Sequence, residues 1–86
     1  MHELAFGVTT NNGSYGAVKN PHNHTRIPGG SSGGTAAAIS CGLVQMGFGS
    51  DTGGSTRIPA SMTGICGMRP SIGKYPGDGV INLSTT

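Results

Sequence analysis

Gly29-Gly30-Ser31-Ser32-Gly33-Gly34 runs without a break into Thr35-Ala36-Ala37-Ala38-Ile39-Ser40-Cys41-Gly42-Leu43-Val44. The first six residues contain four glycines and no apolar side chain, which is loop chemistry. The next ten combine good helix propensity with side chains small enough for close packing. A loop feeding a buried helix over 35–44 is the reading. The same style recurs at once: residues 45–50 are apolar and glycine-interrupted, short enough for a buried strand, and end in Asp51-Thr52-Gly53-Gly54-Ser55, a second glycine loop.

Working outward, residues 4–8 form a short apolar run that reads as a strand, and residues 9–16 are turn chemistry without an apolar period. Residues 20–28 carry two prolines, each of which biases its predecessor away from helix, so this segment is irregular. On the other side, 56–62 reads as a short helix, 65–68 as a brief strand, and 70–79 as turns. No internal repeat is present.

Composition sets bounds on this picture. Leu, Ile, Val and Phe make up 15 of the 86 residues, and glycine alone contributes 17. That apolar fraction falls below the roughly 20% at which a core becomes hard to build. Disorder would bring high net charge, whereas only 9% of residues are charged and the formal net charge is +2. A loop-rich slice of a larger buried structure fits both facts. Five scattered basic residues and four aromatics give no nucleic-acid-binding surface. No stretch approaches the roughly 20 apolar residues that span a bilayer, and Met1-His2-Glu3 does not resemble a secretion signal, so neither a membrane nor a nucleic-acid partner is expected and a cytoplasmic setting is. Cys41 and Cys66 are too few and too far apart for a disulfide framework and read as small buried hydrophobes. His22 and His24 have no third ligand in range and read as solvated loop residues; no metal or cofactor is expected.

The chemistry must therefore come from the two glycine loops, whose serines, Ser31 and Ser55, stand 24 positions apart. Glycine brings backbone N–H groups within reach of an anion or a developing oxyanion. A phosphate cradle of the Walker type needs lysine after its last glycine, and Gly34 is followed by Thr35. A dinucleotide fingerprint fails because Gly47-Phe48-Gly49 meets Thr52 where its third glycine belongs. Gly30-Ser31-Ser32-Gly33-Gly34 formally matches the G-x-S-x-G elbow with Ser32 as nucleophile, but that arrangement needs a histidine downstream, and His2, His22 and His24 all lie upstream. A serine nucleophile without histidine is commonly activated by a neutral lysine.

These residues, from Gly29 to Gly34, through Gly49-Ser50-Asp51-Thr52-Gly53-Gly54-Ser55-Thr56-Arg57-Ile58-Pro59-Ala60, to Gly64-Ile65-Cys66-Gly67-Met68-Arg69-Pro70, closely resemble the amidase signature family. The flanks, Met1 to Gly7 and Gly73-Lys74-Tyr75-Pro76-Gly77-Asp78-Gly79, look most like the indoleacetamide and mandelamide hydrolase branch. The resemblance covers nearly the whole chain. It implies that residues 1–86 are part of one α/β domain, a catalytic-core fragment, truncated at both ends, of a layered α/β/α fold with a mixed central sheet.

By that resemblance Ser55 is the nucleophile, and Ser31, preceded by a cis peptide bond, bridges it to a lysine base. The two hydroxyls are then expected within hydrogen-bond reach. The amides of Thr52, Gly53, Gly54 and Ser55 would form the oxyanion hole, Ser32 would be a local support, and Arg57 would pair with Asp51 to brace the loop. The substrate would be a small carboxamide of aryl-acetamide type, split into acid and ammonia. The transamidating subunit that converts misacylated glutamyl-tRNA, and a fragment without catalysis, are the alternatives. The family's lysine lies well upstream of the bridging serine, and neither Lys19 nor Lys74 fits that place. The chain alone is therefore expected to lack its base and to be inactive.

Overall fold

The structure is a computed structural model that describes residues 1–84. Its regular elements are a 3₁₀ turn at Glu3–Ala5, a minimal hairpin of β1 (Asn11–Asn12) and β2 (Gly16–Ala17), and two helices, α1 (Gly33–Ser40) and α2 (Arg57–Thr63). The element content is α/β, with the helices dominant.

α1 begins two residues before the predicted helix and ends four residues early. Its start is fixed by Gly33, whose N–H donates to Thr10 Oγ1 at 3.1 Å, giving a helix-end amide a partner. Its end is fixed by Gly42 at φ 75, after which Leu43 N–H turns back to Ala38 O at 3.0 Å. α2 falls where it was expected, one residue later. Pro59 sits in its first turn, where a missing N–H costs nothing, and left-handed Gly64 lets Ile65 N–H close back on Ala60 O at 3.0 Å.

The two helices pack on each other. Ala36, Ala37 and Ala60 are the buried apolar side chains between them, beside buried Pro28, Pro59, Thr10 and Thr63. Side chains this small let backbones approach closely, so the helices carry their loops on a tight pair.

None of the three predicted strands forms. Residues 4–8 are a turn with Leu4 and Ala5 at φ 53 and 56, and residues 45–50 and 65–68 are irregular. A strand exists by its ladder, and among the described residues no neighbour pairs with these segments. Residues 9–16, expected to be all turn, contain β1 and the start of β2; Asn12 Oδ1 accepts from Ser14 N–H at 2.8 Å and Tyr15 N–H at 2.9 Å and closes that turn. Both cysteines are exposed, not buried: Cys41 follows the last turn of α1 and Cys66 lies in the irregular segment after α2. Among the described residues no helix is long and apolar enough to cross a membrane.

Candidate active site

The two glycine loops meet. Ser32 N–H donates to Ser55 O at 3.1 Å, and the hydroxyls of Ser32 and Thr56 both reach Ser50 O, at 3.4 and 3.1 Å. Gly49 fits beneath them: a Cβ there would stand 2.7 Å from Ser32 Oγ and 2.8 Å from Thr56 Oγ1. Ser32 thus joins the two loops through both its amide and its hydroxyl.

Ser31 sits at the centre of this junction. It is fully buried, the Gly30–Ser31 peptide is cis, and its Oγ has no hydrogen-bond partner. Buried hydroxyls nearly always have a partner, and among the described residues this is the one buried side-chain polar atom without one. The expected hydrogen bond from Ser31 Oγ to Ser55 is not formed. The loops are in register through the Ser32–Ser55 backbone contact, with the Ser31 hydroxyl left free. Ser55 itself is half-buried and stands at the edge of a cleft.

The second loop is organised by one carboxylate. Asp51, its side chain 5% exposed, accepts at Oδ1 from Gly54 N–H at 2.9 Å and at Oδ2 from Thr56 and Arg57 N–H, both at 3.3 Å. Arg57 closes a two-pronged pair with Nε on Oδ2 and Nη2 on Oδ1, each 2.9 Å, and Arg69 Nε approaches Oδ1 at 3.8 Å. The Arg57 guanidinium, helped by the two amides, outweighs the cost of burial and holds the Asp51 carboxyl down at about 2. Asp51 and Arg57 thus pair across the loop, six positions apart.

The same network alters the expected oxyanion hole. Gly54 N–H is committed to Asp51 and Gly54 is buried, so it does not face a reacting group. Among the described residues the amides of Thr52, Gly53 and Ser55 carry no hydrogen bond, and Thr52 and Gly53 are exposed. Beside them opens a cleft of about 270 Å³, walled by Phe6, Val8, Thr52, Gly53, Ser55 and Ile58. Neither Lys19 nor Lys74 reaches Ser31, and both are exposed.

Two positions escaped the sequence reading. Thr10, buried, has its hydroxyl on Gly29 O at 2.7 Å and Ser31 O at 3.3 Å. Asn20, also buried, donates from Nδ2 to Met62 O at 2.7 Å and joins the N-terminal arm to α2. Neither carries a motif, and only a long-range hydrogen bond identifies them. His22 is exposed in its loop, and its Nε2 lies 2.8 Å from Thr63 O, a carbonyl also reached by Ser40 Oγ at 2.9 Å, so it ties that loop to the ends of both helices. Among the described residues no group of three His, Cys, Asp or Glu side chains converges as a metal site would require.

Comparison with known proteins agrees with this architecture. The sequence profile of the Amidase family matches residues 1–86. The indoleacetamide hydrolase of Rhizobium radiobacter is 56% identical over 86 residues, which is 100% of this chain and 18% of that protein. A glutamyl-tRNA(Gln) amidotransferase subunit from Methanospirillum hungatei is 52% identical over 81 residues, 94% of this chain and 19% of that protein. Among solved structures, an inhibitor-bound complex related to an s-triazine catabolic enzyme superposes with a TM-score of 0.73 at 55% identity, covering 74% of this chain and 14% of that one. A crystal structure of an amidase gives 0.68 at 50% identity over 70% of this chain and 14% of its own. The chain thus spans about a fifth of the length of the curated relatives it matches.

Proposed function

The chain belongs to the amidase family, and from that premise we propose that it is the nucleophile-bearing part of a serine amidohydrolase that cleaves a small aryl-acetamide-like substrate. Within the whole protein these residues would join a layered α/β/α fold with a mixed central sheet. The observation that carries the reading is the orphaned, buried hydroxyl of Ser31 at the junction with the Ser55 loop.

In this mechanism Ser55 Oγ attacks the amide carbonyl carbon. Its proton passes through Ser31 to a lysine base contributed from outside these 86 residues. The oxyanion is received by the amides of Thr52, Gly53 and Ser55, donors whose individual removal in such sites typically costs about 10² to 10³ in rate. The returning proton lets ammonia leave, water attacks the Ser55 ester, and the free acid departs. Asp51 and Arg57 keep the loop in shape and touch no reacting atom. No cofactor enters. The cleft beside Ser55, with Phe6, Val8 and Ile58 on its walls, suits a flat apolar acyl group, and this favours an aryl acetamide over a tRNA-borne glutamyl group as substrate.

A chimaera tests this: the matching residues of the Rhizobium radiobacter indoleacetamide hydrolase are replaced by residues 1–86. Release of ammonia from indole-3-acetamide, lost on Ser55→Ala, is expected. A folded chimaera that binds but does not turn over the amide, or a Ser55→Ala variant of normal activity, refutes the assignment.

A further inference from the structure

Thr10 holds a backbone conformation that its side chain disfavours. Its φ is 53, in the left-handed region where a β-branched residue is a genuine outlier, and it is 1% exposed. Strain of this kind survives only where the surroundings over-determine it, and it gathers at functional sites. The surroundings here are the Ser31 loop. Thr10 Oγ1 lies 2.7 Å from Gly29 O, to which it donates, and 3.3 Å from Ser31 O, and it accepts from Gly33 N–H at 3.1 Å. One hydroxyl therefore grips the loop before Ser31, at Ser31, and at the first residue of α1.

The fit is close on the backbone side as well. A Cβ on Gly30 would stand 2.8 Å from the Val8 carbonyl carbon and 2.9 Å from Thr10 Oγ1, and a Cβ on Gly33 would collide with the same hydroxyl. Val18 N–H donates to Thr10 O at 3.1 Å, anchoring Thr10 to the residue that follows β2. The loop is thus seated on Thr10, and among the described residues the one buried side-chain polar atom left without a partner is Ser31 Oγ. A hydroxyl kept free while its own backbone is pinned from beneath is aimed.

We propose that Thr10 is a positioning residue for the amide-cleaving reaction, acting through Ser31 by holding the Gly29–Gly33 backbone so that the Ser31 hydroxyl stays free to pass a proton. This rests on the reading of Ser31 as the proton bridge. Loss of the Thr10 hydroxyl leaves Gly29 O and Gly33 N–H unpaired, the loop shifts to satisfy them, and Ser31 Oγ acquires another partner.

The experiment uses the chimaera, first shown to release ammonia from indole-3-acetamide; a chimaera that fails there removes the functional reading and is distinguished from the result sought here. Thr10→Val, nearly isosteric and without the hydroxyl, is expected to lower kcat by about tenfold to a hundredfold, the scale of a misplaced catalytic group, with KM changed less than about twofold. Thr10→Ser restores kcat to within about threefold. In a Ser31→Ala background, Thr10→Val lowers the residual rate no further, because its route to the reaction is already gone. Should Thr10→Val not fold, Thr10→Cys, whose thiol keeps the volume but is a weak donor and acceptor, carries the same expectations. An unchanged kcat, a serine variant no better than valine, or an equal loss in both Ser31 backgrounds overturns the proposal.

Discussion

Replacing Asp51 by Asn keeps the size of the side chain and removes the charge that gathers Gly54, Thr56 and Arg57 around it. The carboxyl is held at about 2 against an ordinary 3.8, and at about 1.36 kcal/mol per pH unit the ionised form is favoured in the folded loop by at most about 2.5 kcal/mol. Arg57 is 52% exposed on its side chain, so water and salt screen the pair and about 1–2 kcal/mol is the expected cost at pH 7. The sign follows from the lowered value. The stabilisation is fully present above the unfolded value near 4 and is lost as pH falls through about 2. In the chimaera, peptides covering residues 50–60 should exchange amide hydrogens roughly 5 to 30 times faster in Asp51→Asn at pH 7. Urea midpoints of the two proteins should be separated from pH 7 down to about 4, and converge below that. A separation that stays constant across that acid window, or exchange in residues 50–60 that does not change at pH 7, would refute the account of the loop as a carboxylate-centred structure.

In the same chimaera, Ser55→Ala should abolish the acyl-enzyme seen by mass spectrometry, whereas Ser31→Ala should retain trace turnover because water relays the proton poorly. Ile58→Phe narrows the cleft beside Ser55, so kcat/KM for indole-3-acetamide should fall by about tenfold or more while that for acetamide changes less; equal losses would place the acyl group elsewhere. The 86-residue chain produced alone should show no sharp urea transition by circular dichroism and release no ammonia from an aryl acetamide. Among the described residues its buried apolar side chains are three alanines and two prolines, whereas Leu4, Phe6, Phe48 and Ile81 are each more than three-quarters exposed.

What could be read in the sequence was whatever depends on neighbours in the chain. α2 was legible because proline in its first turn and Gly64 at its end are local signals, and the Asp51–Arg57 pair because six residues and a tight loop leave it little choice. The two glycine loops were legible as loops from their glycines, and the structure brings them together through Ser32 N–H on Ser55 O. The strands were misread since an apolar run of five or six residues says nothing about whether a partner lies beside it. The Gly54 amide was misassigned for a related reason: a glycine loop offers several N–H groups, and which of them turns inward is decided by the acceptor, here Asp51, that captures one first. Thr10 and Asn20 were invisible because the bonds that join them to the rest of the site, to Gly29 and Met62, span 19 and 42 positions.

The division between what this segment buries and what it exposes says where its geometry is kept. Thr10, Asn20, Ser31, Ser32 and Thr63 are buried, while Phe6, Leu43, Met46 and Phe48 stand in the open. In an ordinary domain the apolar contacts would fix the backbone and the polar groups would decorate it. Here each approach of one loop to another is closed by a hydroxyl, an amide or a carboxylate on a carbonyl or an N–H: Thr10 on Gly29, Ser32 on Ser55, Thr56 on Ser50, Asp51 on Gly54, Asn20 on Met62. Hydrogen bonds are directional and hydrophobic contacts are not, so a framework of this kind holds atoms at set angles without needing bulk. It follows that the site's geometry is most vulnerable at small polar residues. Truncating an exposed Phe48 should weaken attachment to whatever covers it, whereas removing one oxygen from Thr10 should displace the Ser31 hydroxyl.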